Sequence, residues 1–229
     1  MDKLEELLRD FLEDLKAILE DVKAAAPKVE GPVASTRSGD LKPFFDEVRK
    51  TLFNGRLTQG QVEGIIVKVA AMKERGFSTA WMAYLLATSY HETAKRMLPV
   101  REGLSASDAW RKKHLRYYPW YGRGDVQLTW KSNYERADRE LGLGGRLVAD
   151  PDLALDKDIS ARVIVRGMED GWFSGDSKGP HSLSRHLPDK TGTFAQFKQA
   201  RRIVNLMDKA ELIANYAMKF QDALRKAGY

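Results

Sequence analysis

The 229-residue sequence predicts a mainly α-helical protein, and three observations carry that expectation. Apolar residues recur every three to four positions along most of the chain, which is the spacing of a helix face turned to a core. Ser and Thr stand where such segments begin, able to accept from the free amides of a first turn. One stretch, 99–130, breaks the period with aromatics and glycines and reads as loops with a short hairpin.

The elements follow in order. Residues 2–26 form an amphipathic helix, with Leu4, Leu8, Phe11, Leu15, Ile18 and Val22 in steps of four and three. That 3.5-residue average is the coiled-coil period, so this helix is a candidate for self-association or for packing on another element. Two prolines, two glycines and small polar residues mark a linker over 27–41. The main domain occupies 42–229. In it, Phe44, Phe45, Val48 and Leu52 predict a short helix. Thr58 to Met72 predicts a second, with Thr58 and Gln61 spaced as a capping box. Ser78 opens a third that runs to about Arg96. Further helices are expected over 132–141, 158–170, 193–203 and 209–226, the last with Leu212, Ile213, Tyr216, Phe220 and Leu224 on one face.

Composition narrows the function. There is no cysteine, so disulfides, thiolate catalysis and cysteine metal sites are excluded. The histidines do not fall at metal-ligand spacing, and His91-Glu92 lacks the second histidine of a zinc motif because position 95 is Lys. No metal or cofactor is expected. No apolar run approaches the ~20 residues that span a bilayer, and the first residues have neither the cationic start nor the apolar stretch of a secretory leader. The net charge is +6. Residues 1–26 carry eight acids against four bases, net −4, so the rest of the chain carries +10. Such a domain favours a polyanion: nucleic acid, anionic lipid or an anionic cell envelope. No nucleic-acid motif appears, so nucleic acid is not expected as a partner.

Two segments could carry chemistry. In the helix from Ser78, Trp81, Leu85, Thr88 and Glu92 fall on one stripe of an almost wholly apolar element. Glu92 thus ends an inward-facing line, where loss of hydration would favour its protonated form and suit it to general acid work. The rival reading is a helix-end Glu paired with Lys95, Arg96 or Arg101. The second segment is Tyr121-Gly122-Arg123-Gly124-Asp125-Val126-Gln127-Leu128-Thr129-Trp130. Alternation in a short edge strand would aim Gln127 and Thr129 the same way.

These segments have company. His91-Glu92-Thr93-Ala94, Val100-Arg101-Glu102-Gly103, Tyr121-Gly122-Arg123-Gly124 through Gln127-Leu128-Thr129-Trp130 to Asn133-Tyr134, and Arg201-Arg202-Ile203-Val204-Asn205 with Asp208 stand in series. In order and spacing they resemble the signature blocks of the family 19 chitinase-like glycoside hydrolases, and in particular their phage endolysin branch. The resemblance covers roughly 42–226. It implies a lysozyme-like helical domain with a small loop and hairpin region beside the cleft. It implies Glu92 as general acid, Glu102 as base or charge stabiliser, and Thr129 holding the attacking water. His91, Tyr121, Arg123, Gln127, Trp130, Asn133 and Asn205 are the implied substrate-binding residues. Family 19 enzymes invert, a scheme that sets the two carboxyl groups ~6.5–9.5 Å apart with water between them. Two positions depart from the pattern. Asp125 replaces an aromatic, proline or aliphatic residue. Leu206 follows Asn205 where glycine is usual, which bears on the backbone there because Leu disfavours positive φ.

The expected activity is cleavage of peptidoglycan between N-acetylmuramic acid and N-acetylglucosamine. The enzyme would be made in a host cytoplasm without a signal peptide, then released to act in the periplasm or cell wall. The rivals are a chitinase on N-acetylglucosamine polymers and a catalytically silent structural or binding protein on the same fold.

Overall fold

The computed structural model describes residues 41–229. The N-terminal helix and linker expected over 1–40 lie outside the described residues.

The domain is built around α3 (Thr79–Glu92), in which every residue from Met82 to Tyr90 is buried. An apolar helix of this kind has no solvent face to keep, so neighbours must cover it all round. The C-terminal helix α11 (Ala210–Lys226) lies along it, and α1 (Lys42–Thr51) and α9 (Phe194–Ala200) flank α11. On the other side, α2 (Gln59–Glu74) packs against α7 (Lys157–Glu169). Phe44, Tyr90 and Phe220 meet edge-on and stacked where α1, α3 and α11 converge. The Tyr90 hydroxyl donates to the Leu52 carbonyl at 2.5 Å, which closes the end of α1.

Local chemistry sets the boundaries. The Thr58 hydroxyl accepts from the Gln61 amide, and the Gln61 side chain accepts in return from the Thr58 amide, so the expected capping box is formed. Ser78 caps α3 by accepting from the Trp81 amide. α3 stops at Glu92, four residues before the expected end. Thr93 turns its hydroxyl back to the Ser89 carbonyl, and Ala94, Lys95 and Met97 adopt positive φ, which ends the helical ladder.

The aromatic stretch is less irregular than its sequence suggests. It contains α4 (Asp108–His114), capped by Ser107, which the broken period concealed. Its hairpin is reduced to β1 (Val100–Arg101) paired antiparallel with β2 (Arg123–Gly124). The helix expected over 193–203 divides at Arg201 into α9 and the short α10 (Arg202–Asn205). Between α5 (Lys131–Leu141) and α7 stand α6 (Arg146–Ala149) and a 3-10 turn, Pro151–Leu155. A small hairpin of β3 (Gly175–Asp176) and β4 (Gly179–Pro180) precedes α8 (Leu183–His186). No periodicity announced these short elements. Among the described residues no helix is long and apolar enough to cross a membrane.

Candidate active site

The expected site residues fall in two clusters, each holding one carboxyl group. The first gathers at the end of α3. Glu92 stands there with its side chain 17% exposed, and Arg201 Nη1 donates to its Oε1 at 2.8 Å. Arg201 is 1% exposed and its Nε donates to the Asp208 carbonyl. The ion pair of the rival reading is formed, but the partner of Glu92 is none of Lys95, Arg96 and Arg101. A guanidinium 109 residues away in sequence reaches it from the α9–α10 junction. His91 lies beside the pair. Burial pushes its imidazolium form down in pKa, the Glu92 charge opposing and the Arg201 charge reinforcing that shift, so the ring is neutral at neutral pH.

The second cluster surrounds Glu102, just past β1. Its Oε1 accepts from the Tyr117 hydroxyl at 2.7 Å and its Oε2 from the Gly122 amide at 2.9 Å. The hydrogen bond to Glu102 holds the Tyr117 phenol up at about 12, so it remains a donor. The Glu102 amide donates to the Gly122 carbonyl, and buried Arg111 donates to the carbonyls of Glu102 and Gly103. Loop and carboxylate are thus held from both sides.

Gly122 defines the centre of this cluster. A Cβ there would lie 2.8 Å from Gln127 Oε1, 3.2 Å from Glu102 Oε2 and 3.3 Å from Thr129 Oγ1. Three polar oxygens therefore crowd round Gly122, and only glycine fits there. Gln127 and Thr129 arrive by a tight turn and not by the expected strand alternation. Residues 125–127 reverse the chain, Leu128 bridges back to Arg123, and Gln127 takes φ +54°. The Thr129 hydroxyl donates to the Gln127 carbonyl at 2.7 Å, and Gln127 Nε2 donates to the carbonyls of Val100 and Gly124.

The other expected contacts divide by exposure. Trp130 is 44% exposed, with Tyr117 against its edge and Arg116 over its face, and offers a ring for sugar stacking. Asn205 is exposed at the end of α10. Asn133 turns inward and donates to the Thr129 carbonyl at 2.8 Å, which holds the Thr129 backbone. Tyr121 and Arg123 are only 2% and 4% exposed. Arg123 lies 3.6 Å from the Tyr121 ring centre, pairs with Asp152, and donates to the carbonyls of Pro119 and Tyr121. Arg123 thus braces the loop, while Tyr121 also stands in the wall of the adjoining cavity. Leu206 itself takes the positive φ, +45°, at the position where the resemblance anticipates glycine.

A cavity of about 640 Å³ opens beside this second cluster, with Arg96, Arg101, Leu104, Arg111, Tyr121 and Asp152 in its walls. Glu102 is followed and preceded by its lining residues but does not line it.

Helices packed round a buried axis, with one carboxyl on the central helix and another on an adjoining loop, give the lysozyme-like helical arrangement expected from the sequence. Residues 76–179 match the family model described as chitinase class I. A 55-residue segment is 53% identical to an acidic endochitinase of Solanum chilense, covering 24% of this chain and 19% of that one. An 83-residue segment is 37% identical to Chitinase 8 of Oryza sativa subsp. japonica, covering 34% and 29%. The chain thus spans about a fifth of the length of the first curated relatives it matches. In fold it is similar to chitinase C of Streptomyces griseus, with a TM-score of 0.53 and 17% identity over 87% of this chain and 80% of that chain. A second bacterial family 19 chitinase gives a TM-score of 0.53 and 20% identity over 81% and 94%.

Proposed function

We propose that this protein is a peptidoglycan hydrolase of endolysin type, cutting the glycosidic bond between N-acetylmuramic acid and N-acetylglucosamine. The observation that carries the chemistry is the grouping of Glu102 Oε2, Gln127 Oε1 and Thr129 Oγ1 around Gly122. A water beside these oxygens can donate one hydrogen to Glu102 Oε2 and the other to Gln127 Oε1 or Thr129 Oγ1, which leaves a lone pair free to attack as Glu102 takes the first proton. Glu92 Oε2 protonates the leaving glycosidic oxygen, and the water adds at the anomeric carbon from the opposite face. No metal or cofactor enters this scheme.

Charge favours peptidoglycan over a neutral polymer. The stretch 101–123 carries six Lys and Arg residues against Glu102 and Asp108. Lys112 and Lys113 stand exposed on α4, and three arginines line the adjoining cavity. Peptidoglycan carries carboxylates that such a surface attracts, whereas chitin is uncharged. The second reading, a chitinase, is favoured by the names of the matched plant and bacterial relatives.

Mass spectrometry of fragments from purified sacculi, run beside chitin hexasaccharide, separates the readings. Reducing N-acetylmuramic acid ends support the proposal. Cleavage of the hexasaccharide alone supports the chitinase, and intact glycans with cut peptides overturn both. Self-association through residues 1–26 is a further part of the proposal, and light scattering with and without residues 1–38 tests it.

A further inference from the structure

Asp125, the position that departs from the family pattern, is buried beneath the site in a closed polar network. Lys68 of α2 and Asp125 form an ion pair at 2.8 Å with side chains 2% and 0% exposed. Two unit charges in such a place persist only when every donor and acceptor is used. Here they are. The Lys68 ammonium donates to Asp125 Oδ1, to the Gly64 carbonyl at 3.0 Å and to the Met97 carbonyl at 2.8 Å. Asp125 Oδ1 also accepts from the Ser89 hydroxyl at 2.7 Å, and Oδ2 accepts from the Ser160 hydroxyl at 2.6 Å. The Asp125 amide donates back to Ser160 Oγ at 2.9 Å.

The partners reveal what the pair connects. Ser89 lies one turn before Glu92 on α3, and Met97 lies five residues after it. Asp125 begins the turn that delivers Gln127 and Thr129. The chain at Met97 passes so close to α2 that a Cβ on Gly64 would fall 1.8 Å from the Met97 carbonyl oxygen, so glycine is required for Lys68 to reach it. One ammonium therefore holds both the segment leaving the Glu92 cluster and the turn entering the Glu102 cluster.

We propose that the Lys68–Asp125 pair is a positioning device that sets the Gln127–Thr129 turn at a fixed distance from the helix bearing Glu92. Neither residue touches substrate, and both act through the turn and through Ser89. The inference rests on the reading that the two clusters act on one glycosidic bond. An inverting mechanism depends on that spacing, because the water must fit between acid and base, and displacements of about 1 Å cost up to 10²-fold in rate. An apolar pair could fill the same space, but it would give the turn no directional bond to α3.

The test separates stability from rate. Lys68→Met, Asp125→Leu and the double variant are compared with the unaltered chain for Tm, kcat and KM, on sacculi or chitin hexasaccharide, whichever the unaltered chain cleaves. Each single variant leaves one buried charge unmatched and is expected to lower Tm. The double variant removes both charges, and its Tm is expected to recover, since isosteric apolar replacement of buried pairs is often neutral. Its kcat is expected to stay about tenfold or more below the unaltered value, with KM changed less than twofold. Ser89→Ala keeps the ion pair and severs only its bond to α3, and a severalfold fall in kcat at little changed Tm is expected; this variant decides the matter should the double variant not fold. Unaltered kcat in the double variant, or in Ser89→Ala, would overturn the positioning role. Activity that survives Glu92→Gln would instead overturn the reading of the site on which it rests.

Discussion

The two carboxyl groups of the site are held by different means. Glu92 stands on a fourteen-residue helix whose course is set by the core, and its partner is a buried cation. Glu102 stands on a loop, and its partners are neutral: a phenol and a backbone amide. The contrast shows that rigidity can come from the core on one side and from a dense set of short hydrogen bonds on the other.

Substitutions can break this contrast or sharpen it. The largest effect is expected from Glu92→Gln, which keeps the shape and the contact with Arg201 but has no proton to donate. A loss of about 10³-fold in kcat, with circular dichroism unchanged, is the expected outcome. On the loop side, Glu102→Gln is expected to lose about 10²-fold, and Thr129→Ala about tenfold, since other groups still hold the water. Equal losses at Glu102 and Thr129 would argue that Glu102 does not act as a base.

Arg201→Met tests the cationic partner through stability. It leaves Glu92 and the Asp208 carbonyl without their donor, and denaturant titration is expected to show a loss of about 3 kcal/mol. The corresponding change on the loop side, Tyr117→Phe, removes one neutral hydrogen bond and is expected to cost about 1 kcal/mol. Similar values for the two would remove the distinction drawn between them.

The smallest effect lies away from both clusters. His181 Nδ1 and His186 Nε2 share a hydrogen bond at 2.9 Å, and burial, reinforced by the His181 and Arg185 charges, pushes His186 down to about 4. A depressed histidine destabilises the fold as pH falls, because the unfolded chain binds the proton first. Folding stability is therefore expected to decline from about pH 6.5 toward pH 4. Partial exposure limits the His186 share to about 1 kcal/mol, or a few degrees in Tm. His186→Gln should flatten that part of the Tm profile and leave the kcat profile at neutral pH unchanged.

How much was legible beforehand differs between the clusters for the same physical reason. Helix periodicity and capping are local, so α3, its Ser78 cap and the inward stripe ending at Glu92 could be read from neighbouring residues. The capping box at Thr58 and Gln61 was equally legible. The family blocks supplied Glu102, Gln127 and Thr129 as a set. Periodicity could not supply their geometry, because a tight turn with positive φ at Gln127 has no repeating signal. Arg111 carried no signal in the sequence, and Arg123 was implied only as a substrate contact; in the fold both brace the loop, since each finds carbonyl acceptors and an aromatic ring that only the folded loop provides.

The sequence by itself determined the helical class and the main helices, because these follow from spacing along the chain, and its resemblance to family blocks pointed to glycosidase chemistry. Only the tertiary structure decided that Arg201 meets Glu92, that three oxygens crowd round Gly122, and that Asp125 is locked to Lys68. Those contacts join residues tens of positions apart, where chain entropy opposes the encounter and packing of the whole domain must supply it.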